Sequence, residues 1–296
     1  MTRDDKKFQL DQKTLDTPIS SLDNSLLNNT GNPLILPSQK RLAEITEMIH
    51  TASLLHDDVI DTSFQRRSQP SANAEFGNKM AILAGDFLLA RASTALARLR
   101  NVEVVELLAT VISNLVEGEF MQLRNSSVEG DSKIGKFDYY LEKTYLKTAS
   151  LIALSCKACV VLGGSGDKYS EMAFNYGKNV GLAFQLIDDM LDFVVTADQM
   201  GKPVNADLKL GLATAPILYA AETYPELWAL IERKFAEEGD EKLALNLALK
   251  SDGIKRTKEL AEKYIKEAVD SISPLPPSQA KDALIYLTHS VINRKK

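Results

Sequence analysis

The chain carries one pattern twice: LLHDDVID over Leu54–Asp61 and FQLIDDMLDF over Phe184–Phe193. Each copy packs three carboxylates into about one helical turn. They are Asp57, Asp58 and Asp61 in the first copy, and Asp188, Asp189 and Asp192 in the second. Like charges at this spacing repel and destabilise a helix. One such cluster alone reads as a solvated acidic face. Here the flanks are apolar: Leu54 and Leu55 precede the first cluster, and Leu191 and Phe193 bracket the last Asp of the second. Carboxylates embedded in apolar sequence are costly to bury unless they are paired or bind metal. Two such clusters therefore point to a cation between two helices. Mg²⁺ prefers oxygen ligands and commonly bridges one or two carboxylates to phosphates. The expectation is a metal-bridged diphosphate held between the two clusters.

The 296 residues are 45% hydrophobic and 25% charged, enough for one large core. A net charge of −5 argues against nucleic acid as a partner. Cys156 and Cys159 form a CxxC on an apolar helical run, with no second Cys pair and no nearby His. Zinc needs about four ligands, so these read as two small core residues. No continuous apolar run reaches the roughly 18 residues of a spanning helix. Met1 to Asp5 is acidic and polar, so it reads as neither a secretory signal nor an Arg-rich transit peptide. Residues 1–38 are rich in Asn, Ser, Thr and Asp and are expected to be disordered or loosely attached.

From residue 39 to 296 the periodicity is helical almost throughout. Leu42, Ile45, Met48, Ile49, Ala52 and Leu55 recur at helical spacing. The same period predicts helices over 80–99, 104–123, 139–162 and 172–193. Further helices are expected over 210–221, 225–236, 242–249, 254–272 and 279–292. Breaks are expected at 68–70, 126–136, 163–167 and 201–203. No stretch alternates long enough to predict a strand, so the fold class is all-α, a single bundle with wide apolar faces on its central helices.

A diphosphate needs cations besides metal. Arg66 and Arg67 follow Asp61 closely, and Arg pairs with phosphate oxygens in bidentate geometry. Lys147 and Thr148 stand in an otherwise apolar helix. Lys202 and Lys209 follow the second cluster. Singly, each reads as a surface residue; as a set bracketing both acidic clusters, they read as diphosphate ligands.

LLHDDVID-x4-RR, GDFLLARA (Gly85–Ala92), EGEFMQL (Glu117–Leu123), KTYLKTASLI (Lys143–Ile152), FQLIDDMLDF and GKPVNADLKLGLATAP (Gly201–Pro216) resemble the trans-polyprenyl diphosphate synthases. The likeness is greatest to the fungal mitochondrial members that make the ubiquinone side chain. It runs from about residue 35 to the end. It implies an isoprenoid-synthase-like bundle around a central cavity. It implies Mg²⁺ held by Asp57, Asp58, Asp61, Asp188, Asp189 and Asp192. Arg66, Lys147, Thr148, Gln185, Lys202 and Lys209 would hold an allylic diphosphate, and Arg67 would face isopentenyl diphosphate. The implied reaction condenses isopentenyl diphosphate onto the allylic substrate, with no protein nucleophile, so His50 and His56 are read as structural. The resemblance further implies a homodimer or hetero-oligomer, peripheral contact with a membrane, and a mitochondrial location on the matrix side.

Two departures stand out. The family's GKxxRP-type isopentenyl-binding motif, upstream of the first acidic cluster, is not found in this chain. Isopentenyl diphosphate is therefore expected to bind weakly. Ser68 stands where the family usually has Gly. These departures keep a second reading open, a non-catalytic partner subunit. A terpene cyclase is disfavoured, because cyclases usually carry an Asn/Ser/Glu-type second metal motif. Ala52 and Ser53, five and four residues before Asp57, are small where short-chain members are bulky. They are expected to leave the product tunnel open for a chain of about C30 or longer, at roughly one isoprene unit per 5.4 Å helical turn.

Overall fold

The computed structural model describes residues 35–124, 133–194 and 206–294. Helix α1 (Pro37–Ile60) begins with a proline in its first turn, where the missing N–H costs nothing. The Gln39 side chain accepts the Leu36 N–H at 2.9 Å. The first helix among the described residues thus starts at Pro37. Residues 1–34, the expected break at 201–203 and residues 126–132 of the break expected over 126–136 lie outside the described residues, whereas residues 133–136 of that break are helical.

Asp61 ends α1, and a short hairpin follows, β1 (Gln65–Arg66) pairing antiparallel with β2 (Gln69–Pro70). No strand was expected there. The two-residue connection has φ of 51° at Arg67 and 61° at Ser68. Positive φ at both central positions is the geometry of a type I′ turn, which favours Gly and Asn. A Gly at the Ser68 position, expected from the family resemblance, would suit this geometry. Asn73, in α2 (Ala72–Phe76), donates its side-chain amide to Asp58 O at 3.1 Å and Ser63 O at 3.0 Å. The Asp58 carbonyl also accepts the Ser63 N–H at 2.9 Å, so Asn73 ties the end of α1 to the chain that follows it.

The chain continues through α3 (Asn78–Arg98), α4 (Val102–Arg124) and α5 (Lys133–Thr144). A five-residue π-helical turn, Tyr145–Ala149, runs directly into α6 (Ser150–Leu162). After the expected break come α7 (Asp167–Val194), α8 (Ala206–Lys209), α9 (Ala215–Thr223), α10 (Leu227–Glu232), α11 (Asp240–Lys250), α12 (Gly253–Ile272) and α13 (Gln279–Ile292). Two helices are shorter than their periodicity suggests. Gly211, at φ 75°, closes a turn that delays α9, and Lys234 and Phe235 at φ 57° and 54° stop α10 early.

Among the described residues the core has two hydrophobic clusters. One joins Leu42, Ile45 and Ile49 of α1 to α3, α4 and α6. The other joins Ala183, Leu186 and Ile187 of α7 to α9 through α13. Helix α7 packs along α6 and α12, binding the two halves into one all-α body. Cys156 packs at the edge of the second cluster and Cys159 against the first, as expected for core cysteines. Burial pushes the Cys156 thiol up to about 11. Taken by length and composition, α3 and residues 135–162 are apolar enough to cross a membrane. This corrects the reading based on continuous apolar runs. The second of these segments carries cavity-lining residues of the site below.

Candidate active site

A cavity of about 990 Å³ opens between α1, α4, the α5–α6 segment and α7. One face of α1 supplies Thr46, His50, Ser53, Leu54, Asp57 and Asp61. These fall at spacings of three and four, as one helical face requires. The first acidic cluster occupies the C-terminal end of α1, where the helix dipole already presents negative charge and favours a cation. Burial pushes the Asp57 carboxyl up to about 6, against the opposing pull of Lys147. Asp61 is raised for the same main reason.

Asp58 behaves differently. It is buried and receives the Arg66 guanidinium in a fork: Nε at 3.1 and 3.0 Å from the two carboxylate oxygens and Nη2 at 2.8 Å. The hairpin exists at the place needed to turn Arg66 back onto α1. Arg66 and Arg67 both still line the cavity, so the Arg66 side chain serves Asp58 while facing the site.

The second cluster divides as well. Asp188 lines the cavity and meets Arg294 Nη2 at 2.9 Å, while the Arg294 guanidinium lies 4.0 Å from the centre of the Phe184 ring. Asp189 also lines the cavity and is buried; Tyr140 donates to it at 2.5 Å and the Gln185 amide at 2.7 Å. Burial still pushes its carboxyl up to about 6. Asp192 is buried and accepts the backbone N–H groups of Ala206 and Asp207 at 3.2 and 3.3 Å. It thereby holds the start of α8 against α7. Asp207 joins the cavity wall, with its carboxyl raised by burial and by Asp189 and Asp192.

Lys147 and Thr148 lie in the π-helical turn. Such single widened turns are common at functional sites. The Lys147 ammonium pairs with Glu119 and lies 3.0 Å from Gln122 Oε1, both on α4. Thr148 donates to Gln185 Oε1 at 2.8 Å. A continuous polar chain thus runs from Thr148 through Gln185 to Asp189 and Tyr140.

Asp57, Asp61, Asp188, Asp189, Arg66, Arg67, Lys147, Thr148, Gln185 and Ser53 all line one cavity. Asp58 and Asp192 face protein partners in this structure. Ala52 is fully buried, whereas its neighbour Ser53 is the one on the cavity wall. Lys209 is exposed on α8, and Lys202 lies outside the described residues. His56 contacts Ile82 O at 3.2 Å, whereas His50, also expected to be structural, lines the cavity. Sequence reasoning missed Glu119, Gln122, Tyr140, Lys143, Asp207 and Arg294. Lys143 precedes Lys147 by four residues and Glu119 precedes Gln122 by three, spacings that place each pair on one face. Arg294 carries no such local signal.

A sequence model described as "Polyprenyl synthetase" matches residues 22–248. A Neurospora crassa protein named a probable mitochondrial hexaprenyl pyrophosphate synthase is 61% identical over 267 residues, covering 88% of this chain and 59% of the relative. A Schizosaccharomyces pombe protein named decaprenyl-diphosphate synthase subunit 1 is 53% identical over 277 residues, covering 93% of this chain and 73% of the relative. A solved Caulobacter crescentus polyprenyl synthase, complexed with calcium and isoprenyl diphosphate, superimposes with a TM-score of 0.80 at 34% identity. That match covers 92% of this chain and 82% of the other. The chain spans about three-fifths of the Neurospora relative's length.

Proposed function

Since the chain belongs to the polyprenyl synthetase family, we propose that it is a long-chain trans-polyprenyl diphosphate synthase making the ubiquinone side chain in mitochondria. The observation that carries this reading is the convergence of Asp57, Asp61, Asp188 and Asp189 from two helices on one cavity that also receives Lys147, Thr148 and Gln185. The mitochondrial assignment and the long product follow the names of the relatives.

Among the described residues no three potential ligands gather closely enough to cage an ion by themselves, so we assign Mg²⁺ as a bridge between the acidic clusters and the substrate's phosphates. Asp57 and Asp61 sit one turn apart, opposite Asp188 and Asp189, in surroundings that hold several of these carboxyls above their usual range. Such crowding is what a buried cation relieves. When bound, Mg²⁺ supplies Lewis acidity toward the diphosphate oxygens. The chain's own residues orient the substrate. Lys147 and Arg67 offer positive charge to phosphate oxygens, Thr148 and Gln185 offer hydrogen bonds, and Arg66 keeps Asp58 neutralised beside them. The allylic C–O bond breaks and pyrophosphate departs, the isopentenyl double bond attacks the allylic carbon, and the released pyrophosphate takes up the proton lost as the new double bond forms. The apolar cavity face beside the acids shields that cationic carbon from water.

The exposed row Met80, Leu83 and Phe87 on α3, with Val116, Phe120 and Leu123 on α4, supports assembly as a homodimer or hetero-oligomer. The name of the Schizosaccharomyces relative, a "subunit 1", agrees with a second chain. Turnover of farnesyl and isopentenyl diphosphates with Mg²⁺, alongside calorimetric binding of each, tests the reading. Allylic binding that needs Mg²⁺, lost in Asp57→Ala and Asp188→Ala, is expected, with weak isopentenyl binding by this chain alone. Farnesyl diphosphate binding unaffected by either substitution would overturn it.

A further inference from the structure

We infer that Gly118 is a positioning residue for Lys147. It acts by leaving the space into which the π-helical turn bulges. The inference rests on the reading that Lys147 contacts the allylic diphosphate.

A π turn carries one extra residue and pushes its backbone outward, so neighbouring helices must make room. They do so at two glycines on opposite sides. A Cβ at Gly118 of α4 would stand 2.6 Å from Lys147 Cγ and 3.1 Å from both Leu146 Cβ and Lys147 N. A Cβ at Gly181 of α7 would stand 2.5 Å from Ala149 Cα and 2.8 Å from Ala149 Cβ. Neither space is spare. Local hydroxyls complete the seat: Thr144 donates to Tyr140 O at 2.7 Å and Ser150 to Leu146 O at 2.8 Å.

Gly118 differs from Gly181 in what it touches. The atom nearest Gly181 is the backbone Cα of Ala149, while the atom nearest Gly118, and the only one inside 3.0 Å, is Cγ of the Lys147 side chain. The far end of that side chain is fixed by Glu119, the residue next to Gly118, and by Gln122 one turn on. Lys147 is thus gripped at both ends by one helix. A methyl group at 118 cannot be avoided by swinging the ammonium away without breaking those contacts. It must push the lysine stem, and with it the ammonium, out of its place on the cavity wall.

The test is a double-mutant cycle on the whole chain, with Gly118→Ala and Lys147→Ala made singly and together. It is read by calorimetric binding of farnesyl diphosphate with Mg²⁺ and by thermal unfolding. Gly118→Ala should weaken binding about tenfold in the parent and about twofold or less once Lys147 is Ala. The unfolding temperature should follow the same pattern, because Ala at 147 has no Cγ to meet the new methyl. This second readout serves even where Gly118→Ala binds nothing. Equal losses in both backgrounds, by either readout, would overturn the inference and make Gly118 a general packing residue. Unchanged binding in Lys147→Ala alone would instead refute the diphosphate role of Lys147.

Discussion

Adjacent aspartates on one helix can have opposite effects on stability. Asp58 is buried against a forked Arg66, whereas Asp57 faces the cavity with its carboxyl raised from 3.8 to about 6, chiefly by burial. A raised carboxyl costs nothing below its unfolded value of 3.8. The cost grows as pH rises toward about 6 and is complete above it. Asp57→Asn should therefore stabilise the metal-free protein at neutral pH by something on the order of 2 kcal/mol. That gain should shrink steadily as pH falls toward 4. Asp58→Asn should instead cost about 2–3 kcal/mol, because it leaves a half-buried guanidinium without its partner. Urea unfolding of the two variants checks this, and a shared sign would sink it. The sequence revealed that this DDxxD was anomalous, since charge crowding is visible in one dimension. It did not reveal the division of labour. That depends on a 100° rotation between neighbouring residues and on a hairpin whose strands are two residues each.

Long helices were legible because an apolar stripe repeated over twenty residues outweighs local noise. The widened turn at Tyr145–Ala149 was not, since one extra residue hardly disturbs the apolar run through Leu146, Ala149 and Leu151. The late start of α9 and the early stop of α10 were equally hidden, being decided by backbone conformations at Gly211, Lys234 and Phe235. Helix geometry also sharpens the account of product length. Going away from Asp57 along α1, the cavity wall is Leu54, Ser53, His50, Glu47 and Thr46, with Ala52 turned into the packed interior. Ser53→Phe should plug the cavity about one turn, roughly 5.4 Å, beyond the acids and cut products to about C15–C20. Ala52→Phe should mainly lower stability, by about 1–3 kcal/mol through overpacking. Chromatography of the dephosphorylated prenols distinguishes them; a shortened product only from the Ala52 variant would place the tunnel on the other face.

At the scale of the molecule, each acidic cluster belongs to a different half of the core. The cavity is where those halves fail to fill the space between them. What the sequence could not convey was the closing of that space by distant residues, above all Arg294, which reaches Asp188 from the other end of the chain. One consequence concerns protons. Near pH 6 the cleft holds Asp57 and Asp189 partly protonated, so it stores exchangeable hydrogen ions. A divalent ion must evict them to be ligated. The heat of Mg²⁺ binding at pH 6 should then vary linearly with the ionisation enthalpy of the chosen buffer. Its slope counts the protons released and should fall toward zero near about pH 8, where both carboxyls are already bare. A flat response at pH 6 would mean the ion enters a cleft that had nothing to give up.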